Sequence, residues 1–176
     1  DYTLEALKAI VAGTQLISQQ ADGTAPLVVT STSKVDNLNA DRIDGLDIEQ
    51  GSFTPTIVGG TTPGVGTYSV QQGRYTKIGK LVFLDIALQI TAHTGSGVLR
   101  IGGLPFTSEN TAGLTQPLAL ENNSLTLTAG HVAYAEVPPN TNYIGIVSSA
   151  TGTTSLASVN MDTACVLRVS GCYVAA

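Results

Sequence analysis

The acidic side chains have the clearest chemical potential in this chain, and four of them lie close together in its first third. These four are Asp36, Asp41, Asp44 and Asp47. Oxygen-rich loops that contain glycine can bind Ca²⁺, but the spacing here does not fit the D-x-[DN]-x-[DN]-G-x5-E calcium loop. We therefore expect no metal, and we interpret the carboxylates as turn-stabilising groups, with Asn39 capping a helical turn over residues 40–43.

A second set of acids lies in the last two thirds of the chain, where two carboxylates facing each other across a sugar would make a glycosidase. The set consists of Asp85, Glu109, Glu121, Glu136 and Asp162. The sequence selects no pair among them, and Asp85 and Glu136 fall within predicted strands, where an outward-facing acid is the commoner case. We expect no catalytic residue and no enzyme, while a glycan-degrading activity stays open as the less favoured alternative.

Histidine, serine and cysteine offer no further catalytic pattern. His93 is predicted in a turn and His131 at a strand start, and neither has a second ligand at a zinc spacing. No G-x-S-x-G turn occurs to activate a serine. Cys165 and Cys172 are seven residues apart in one predicted strand, so they point to opposite faces and are expected to be buried free thiols. We expect no cofactor.

Binding chemistry is better represented than catalysis, and it centres on the loop of residues 138–143. Asn140 and Asn142 can hydrogen-bond the hydroxyls of a sugar, and the Tyr143 ring can stack on a pyranose face. Two prolines before them restrict the backbone, which lowers the entropy lost on binding. The polar loops 108–115 and 149–155 are alternatives. The simpler interpretation is that Asn140 and Asn142 only make the turn.

The elements that position these residues are expected to be strands. The chain has 176 residues, of which 12% are charged and 19 are glycine, with no tryptophan, a composition typical of an all-β protein with many turns. The net charge of −5 argues against a nucleic-acid partner. No apolar run approaches the roughly 20 residues that a membrane-spanning helix needs, so we expect no membrane insertion.

The stretch from Gly73 to Ile90 predicts the central hairpin of the sheet. Even-numbered positions from Val82 to Ile90 are all apolar, which is the period-two pattern of a strand with one buried face. Gly79 supplies the positive φ of the turn. Further strands are predicted at 67–70, 98–101, 117–120, 125–128, 131–137, 143–148, 156–159 and 164–174. Such spacing predicts an antiparallel β-sandwich, jelly-roll-like, over residues 51–176.

Residues 1–50 have a different character and are predicted to form an extended, intertwined fibre-like segment. Residues 1–12 carry one apolar stripe and predict a short helix. The part after it has few apolar anchors, namely Val35, Leu38, Ile43 and Leu46. One copy has too little apolar surface to hold itself together, whereas three parallel copies could bury these anchors against one another. We therefore predict a homotrimer.

Three sequence motifs resemble bacteriophage tail fibre and minor structural proteins in their distal region. They are NLNADRIDGLD at Asn37–Asp47, GRYTKIG at Gly73–Gly79, and IGGLPFTS at Ile101–Ser108. The resemblance implies a tail fibre distal fragment that is assembled in the host cytoplasm, joins other virion tail proteins and attaches the virion to a bacterial surface receptor, with glycans as one receptor class. A purely structural tail or baseplate appendage, and a tail-associated glycan-degrading enzyme, remain the alternatives.

Overall fold

The computed structural model describes residues 42–43, 46–153 and 155–176. The predicted N-terminal helix and the anchors Val35 and Leu38 lie outside these residues, so the helix and the intertwined segment stay predictions. Eleven β-strands make up the regular structure of the described part, where no helix is long and apolar enough to cross a membrane. The strands are β1 Arg42–Ile43, β2 Leu46–Phe53, β3 Thr56–Gly59, β4 Gly66–Ile78, β5 Leu81–His93, β6 Leu99–Gly102, β7 Gln116–Asn123, β8 His131–Val137, β9 Tyr143–Ala150, β10 Ala157–Ser158 and β11 Cys165–Val174.

The strands form one continuous antiparallel sheet instead of the two separate layers of the predicted sandwich. Its order is β1-β2-β4-β5-β11-β7-β8-β9-β6-β3, with β10 pairing beside β9. The two layers that a sandwich would have are joined through β7, which pairs with β11 on one side and with β8 on the other. Strand twist accumulates across such a sheet, and the sheet curls into a half-barrel. The all-β, antiparallel prediction is confirmed, and the sandwich prediction is corrected.

Side-chain hydrogen bonds show how far the sheet curls. The last strand, β3, returns toward β4 and β5, which lie near the other end of the strand order. The Ile57 amide donates to the Tyr68 hydroxyl at 2.8 Å, and His93 Nε2 lies 3.0 Å from the Ile57 carbonyl oxygen. These bonds join strands that no backbone ladder connects, and the concave face between them becomes the core.

The predicted hairpin is present as β4 and β5, with Gly79 at φ +57° in the turn. Gly73, at which the hairpin was predicted to begin, lies inside β4 instead. A Cβ atom at Gly73 would come within 2.7 Å of the Phe53 ring, so this glycine provides space for an aromatic side chain from β2. β2 itself runs across the predicted domain boundary between residues 50 and 51.

The core lies on the face of β5 that the period-two pattern predicted. All five even-numbered apolar side chains of this strand are buried, with 0 to 3% of their surface exposed: Val82, Leu84, Ile86, Leu88 and Ile90. Leu167 and Val169 of β11 lie opposite Leu88 and Ile86 on the same face. Across the curl, Ile144 and Ile146 of β9 complete the cluster.

One predicted strand, 125–128, is an irregular connection between β7 and β8. The Thr126 amide donates to the Asp162 carboxylate at 2.7 Å and not to a neighbouring strand. Burial of Asp162 acts to raise its pKa, but hydrogen bonds from Thr126, Thr163 and Ala164 outweigh burial and lower the pKa. A side chain from a distant segment therefore replaces the ladder bond that a strand would need.

Candidate functional site

The predicted binding loop is a tightly fixed turn between β8 and β9. Ser108, completely buried, donates its hydroxyl to the Pro138 carbonyl at 2.6 Å and accepts the Thr141 amide at 3.0 Å. The Thr141 hydroxyl donates to the same Pro138 carbonyl at 2.8 Å. Because side-chain and backbone bonds both hold the turn, its shape is set before any ligand arrives.

The three predicted contact residues have different settings within this turn. Asn140 is exposed and has φ +55°, a left-handed conformation that asparagine tolerates better than most residues. Asn142 is exposed as well, whereas Tyr143 is half-buried as the first residue of β9. The guanidinium carbon of Arg100 lies 4.5 Å from the centre of the Tyr143 ring. The backbone role of Asn140 supports the simpler turn interpretation, while the amide of Asn142 remains available.

Backbone hydrogen bonds show at which end of the sheet this loop lies. We define the near end by the start of β2 and the β4–β5 turn, which are joined where the Gly79 amide donates to the Asp47 carbonyl at 2.9 Å. The Ala175 amide reaches Lys80 there at 2.8 Å, and Ala175 bridges to Ser108, which holds the loop. The loop is therefore at the near end. Its contact with a receptor stays a prediction.

The convex outer face of the sheet carries a cluster of apolar side chains that the structure leaves uncovered. Register places these residues side by side, since Ile48 lies opposite Ile78 and Ile78 opposite Leu81. Each is 37 to 50% exposed, and we call this set the outer apolar patch: Leu46, Ile48, Ile78, Leu81 and Phe83. Contiguous exposed apolar surface of this kind is a common mark of an interaction site.

Two open grooves adjoin the patch on the same face of the sheet. They have volumes of about 770 and 740 Å³, and both are lined by Arg74 and Asp85. The Arg74–Asp85 ion pair is long, at 4.0 Å, with the side chains 80% and 65% exposed, whereas Arg168 and Glu121 pair at 2.6 Å. Exposed ion pairs contribute little to stability, so exchanging them for contacts with another molecule would cost little free energy of folding.

Two of the acids considered for catalysis, Asp85 and Glu121, line the same groove. Glu109 is at the near end beside the binding loop, and Asp162 holds the β7–β8 connection. Asp85 and Glu121 lie on the outer face, each beside an arginine. Glu136 is half-buried, and burial raises its pKa. The two acids that share a groove therefore each have a cationic partner.

The histidines and cysteines have structural settings. His93 ends β5 and is buried, with Nδ1 accepting the Gly95 amide at 2.9 Å, so Nε2 carries the proton and donates to the Ile57 carbonyl. Cys165 is buried, and burial raises its pKa to about 11. Cys172 is exposed, which corrects the expectation that both thiols are buried, because it lies on the outer face opposite Phe83.

Most of the four acids in the first third of the chain lie outside the described residues. Asp36, Asp41 and Asp44 lie outside the described residues, while Asp47 is the second residue of β2. Among the described residues, no three His, Cys, Asp or Glu side chains gather closely enough to hold a metal ion. The absence of a metal therefore stays a prediction for this segment.

Two features of these sites were not found from the sequence. Ser108 contacts the loop across about thirty residues of chain, and no local pattern marks it. The outer apolar patch did leave a signal, because Leu81 and Phe83 occupy the odd positions of β5 while the even positions are also apolar. A strand that is apolar on both faces at one end indicates a second buried or interacting surface.

Comparison with known proteins gives one informative likeness. No protein-family model matches the chain, and no curated protein matches it. Among solved structures the chain is similar to the crystal structure of the Dettilon tailspike protein, with a TM-score of 0.59 and 20% sequence identity. The match covers 72% of this chain and 24% of the tailspike chain, so this chain spans about a quarter of that protein's length. The likeness establishes a shared fold.

Proposed function

We propose that the chain is the distal part of a bacteriophage tail fibre or tailspike-like protein that attaches the virion to a bacterial surface. The observation that carries the proposal is the fold shared with a tailspike protein over 72% of the chain. The sequence motifs that resemble tail fibres support the same conclusion independently. The protein would reside in the virion tail beside other tail proteins, after assembly in the host cytoplasm.

The active form in this proposal is a homotrimer. The outer apolar patch supports it, because the large side chains Ile78, Leu81 and Phe83 remain 37 to 44% exposed in a single copy. Packing these side chains against another copy removes apolar surface from water, and each Å² buried contributes about 25 cal/mol of favourable free energy.

Attachment is proposed to occur by binding and not by catalysis. The two carboxylates that share a groove, Asp85 and Glu121, are each paired with an arginine, which favours a binding protein over a glycosidase. The loop with Asn140, Asn142 and Tyr143 is the proposed receptor contact, on the strength of its fixed backbone and its mixed amide and aromatic chemistry. A purely structural tail appendage is the second candidate, favoured by the position of this loop at the near end.

Adsorption to bacteria tests the proposal directly. Fluorescently labelled full-length chain is incubated with a panel of bacterial strains, and phage infection is measured with and without excess unlabelled protein. We expect saturable binding to susceptible strains and a dose-dependent loss of infection, because receptors become occupied. Saturable binding to no strain that the phage infects would favour the structural appendage.

A loop variant then locates the contact. Asn140→Gly with Asn142→Ala and Tyr143→Ala removes the binding groups, and glycine keeps the left-handed backbone at position 140. We expect at least a tenfold weaker adsorption with the chain still folded. Unchanged adsorption by this folded variant would exclude the loop and leave attachment itself intact.

A further inference from the structure

A small cavity lies at the far end of the sheet, which we define by the end of β7 and the start of β11. Its volume is about 320 Å³, at the lower limit of small-ligand sites, which span roughly 300 to 1,000 Å³. Its walls come from the β7–β8 connection, from β9 and from the segment around β10. Polar and apolar groups alternate in the lining, which includes Thr128, Ser148, Ser158, Asn160, Leu127 and Met161.

Polar groups in this lining are available for a ligand. The side chains of Thr128, Ser158 and Asn160 are exposed and form no hydrogen bond to any described residue. Beneath them Ser148 is 5% exposed, and its hydroxyl lies 3.2 Å from His131 Nδ1. Two hydroxyls and an amide thus face the cavity with their donors and acceptors unoccupied.

The cavity is fixed on several sides by bonds that do not involve these groups. The Val159 amide donates to Ile146 at 3.0 Å, and the Met161 amide donates to Gly97 at 2.8 Å. On the opposite wall the Thr126 amide is held by Asp162 at 2.7 Å. The walls therefore need little ordering when a ligand binds, which lowers the entropic cost of binding.

The charge and polarity of the lining side chains favour one class of ligand. Neither lysine nor arginine lines the cavity, and the Asp162 carboxylate is nearby on Thr126, so an anionic group would find no positive partner. Hydroxyls and an amide match the hydroxyl groups of a sugar, while Leu127 and Met161 offer apolar contact to its carbon face. We propose that this far-end cavity binds a single neutral saccharide unit.

This inference rests on the proposed attachment function, to which it adds a receptor class and a second contact site. The cavity is at the opposite end of the sheet from the Asn140 loop and from the start of β2. Three copies would present three cavities, which converts weak single-site binding into useful avidity.

Ligand-observed NMR tests the cavity without bacteria. Full-length protein is titrated with glucose, galactose, rhamnose and N-acetylglucosamine, and saturation transfer to each sugar is measured. The variant Ser158→Ala with Asn160→Ala removes two cavity groups, and Thr128→Val removes the third. The matched control is Thr67→Ala, which alters an exposed residue of β4 outside the cavity lining. All substitute exposed side chains, so the melting temperature of each variant is expected to stay close to the wild-type value.

We expect transfer to at least one sugar, a loss of at least tenfold in affinity in both cavity variants, and no change in the Thr67→Ala control. Transfer to none of the four sugars, or equal transfer in wild type and cavity variants, would overturn the inference. Adsorption separates the two proposals. Adsorption that persists in the cavity variants removes the cavity as receptor site but not attachment, whereas sugar binding without any adsorption removes attachment but not the cavity.

Discussion

At the scale of single residues, one buried hydroxyl organises the candidate binding loop. Ser108 makes two hydrogen bonds to backbone groups on either side of Asn140, at Pro138 and Thr141. We expect Ser108→Ala to reduce the free energy of unfolding by about 1 to 3 kcal/mol, because the Thr141 amide loses a buried partner. Denaturant titration measures the change.

Ser170→Ala is the control for that prediction. Ser170 is exposed on the outer face of β11, where a surface substitution changes stability by less than about 0.5 kcal/mol. Equal stability of the two variants would mean that Ser108 does not hold the loop. The sequence predicted the loop from its prolines and asparagines, but not its support, because the bonds between Ser108 and Thr141 join segments about thirty residues apart in the chain.

At the scale of elements, β5 provides the sharpest test because its two faces differ. Leu84 and Ile86 are each 3% exposed, whereas Asp85 between them is exposed on the outer face. We expect Leu84→Ala and Ile86→Ala to cost about 2 to 5 kcal/mol each through lost contacts and residual cavities. Asp85→Asn should cost much less, since its partner Arg74 is 4.0 Å away and exposed.

Thermal and denaturant unfolding of the three variants would check this prediction, and equal losses would contradict the assigned strand faces. The faces themselves were predictable from the sequence, since a period-two pattern fixes which side of a strand is buried. The irregular conformation of the 125–128 connection could not be predicted in this way. Its residues have strand-like apolar spacing, yet the Asp162 carboxylate binds the Thr126 amide, and no local pattern records a partner so distant in the chain.

At the scale of the whole molecule, the curl of the sheet is the feature that local patterns could not give. Short strands separated by turns are compatible with a sandwich and with one curled sheet alike. The difference lies in whether β7 has one neighbour or two, and it has two, β11 and β8. The curl buries one face and leaves the outer face of β2, β4 and β5 uncovered, with an apolar patch that we assign to contacts between copies.

The molar mass in solution tests that central assignment most directly. Light scattering of the full-length protein at micromolar concentration should give about 54 kDa, three times the 18.1 kDa chain. Leu81→Thr with Phe83→Thr should shift it toward 18.1 kDa, because both substitutions make the patch polar while threonine preserves strand propensity. The matched control, Val132→Thr with Tyr134→Thr, alters exposed apolar residues of β8 outside the patch and should leave the trimer intact. A wild-type protein that is monomeric, or a patch variant that stays trimeric, would contradict the account.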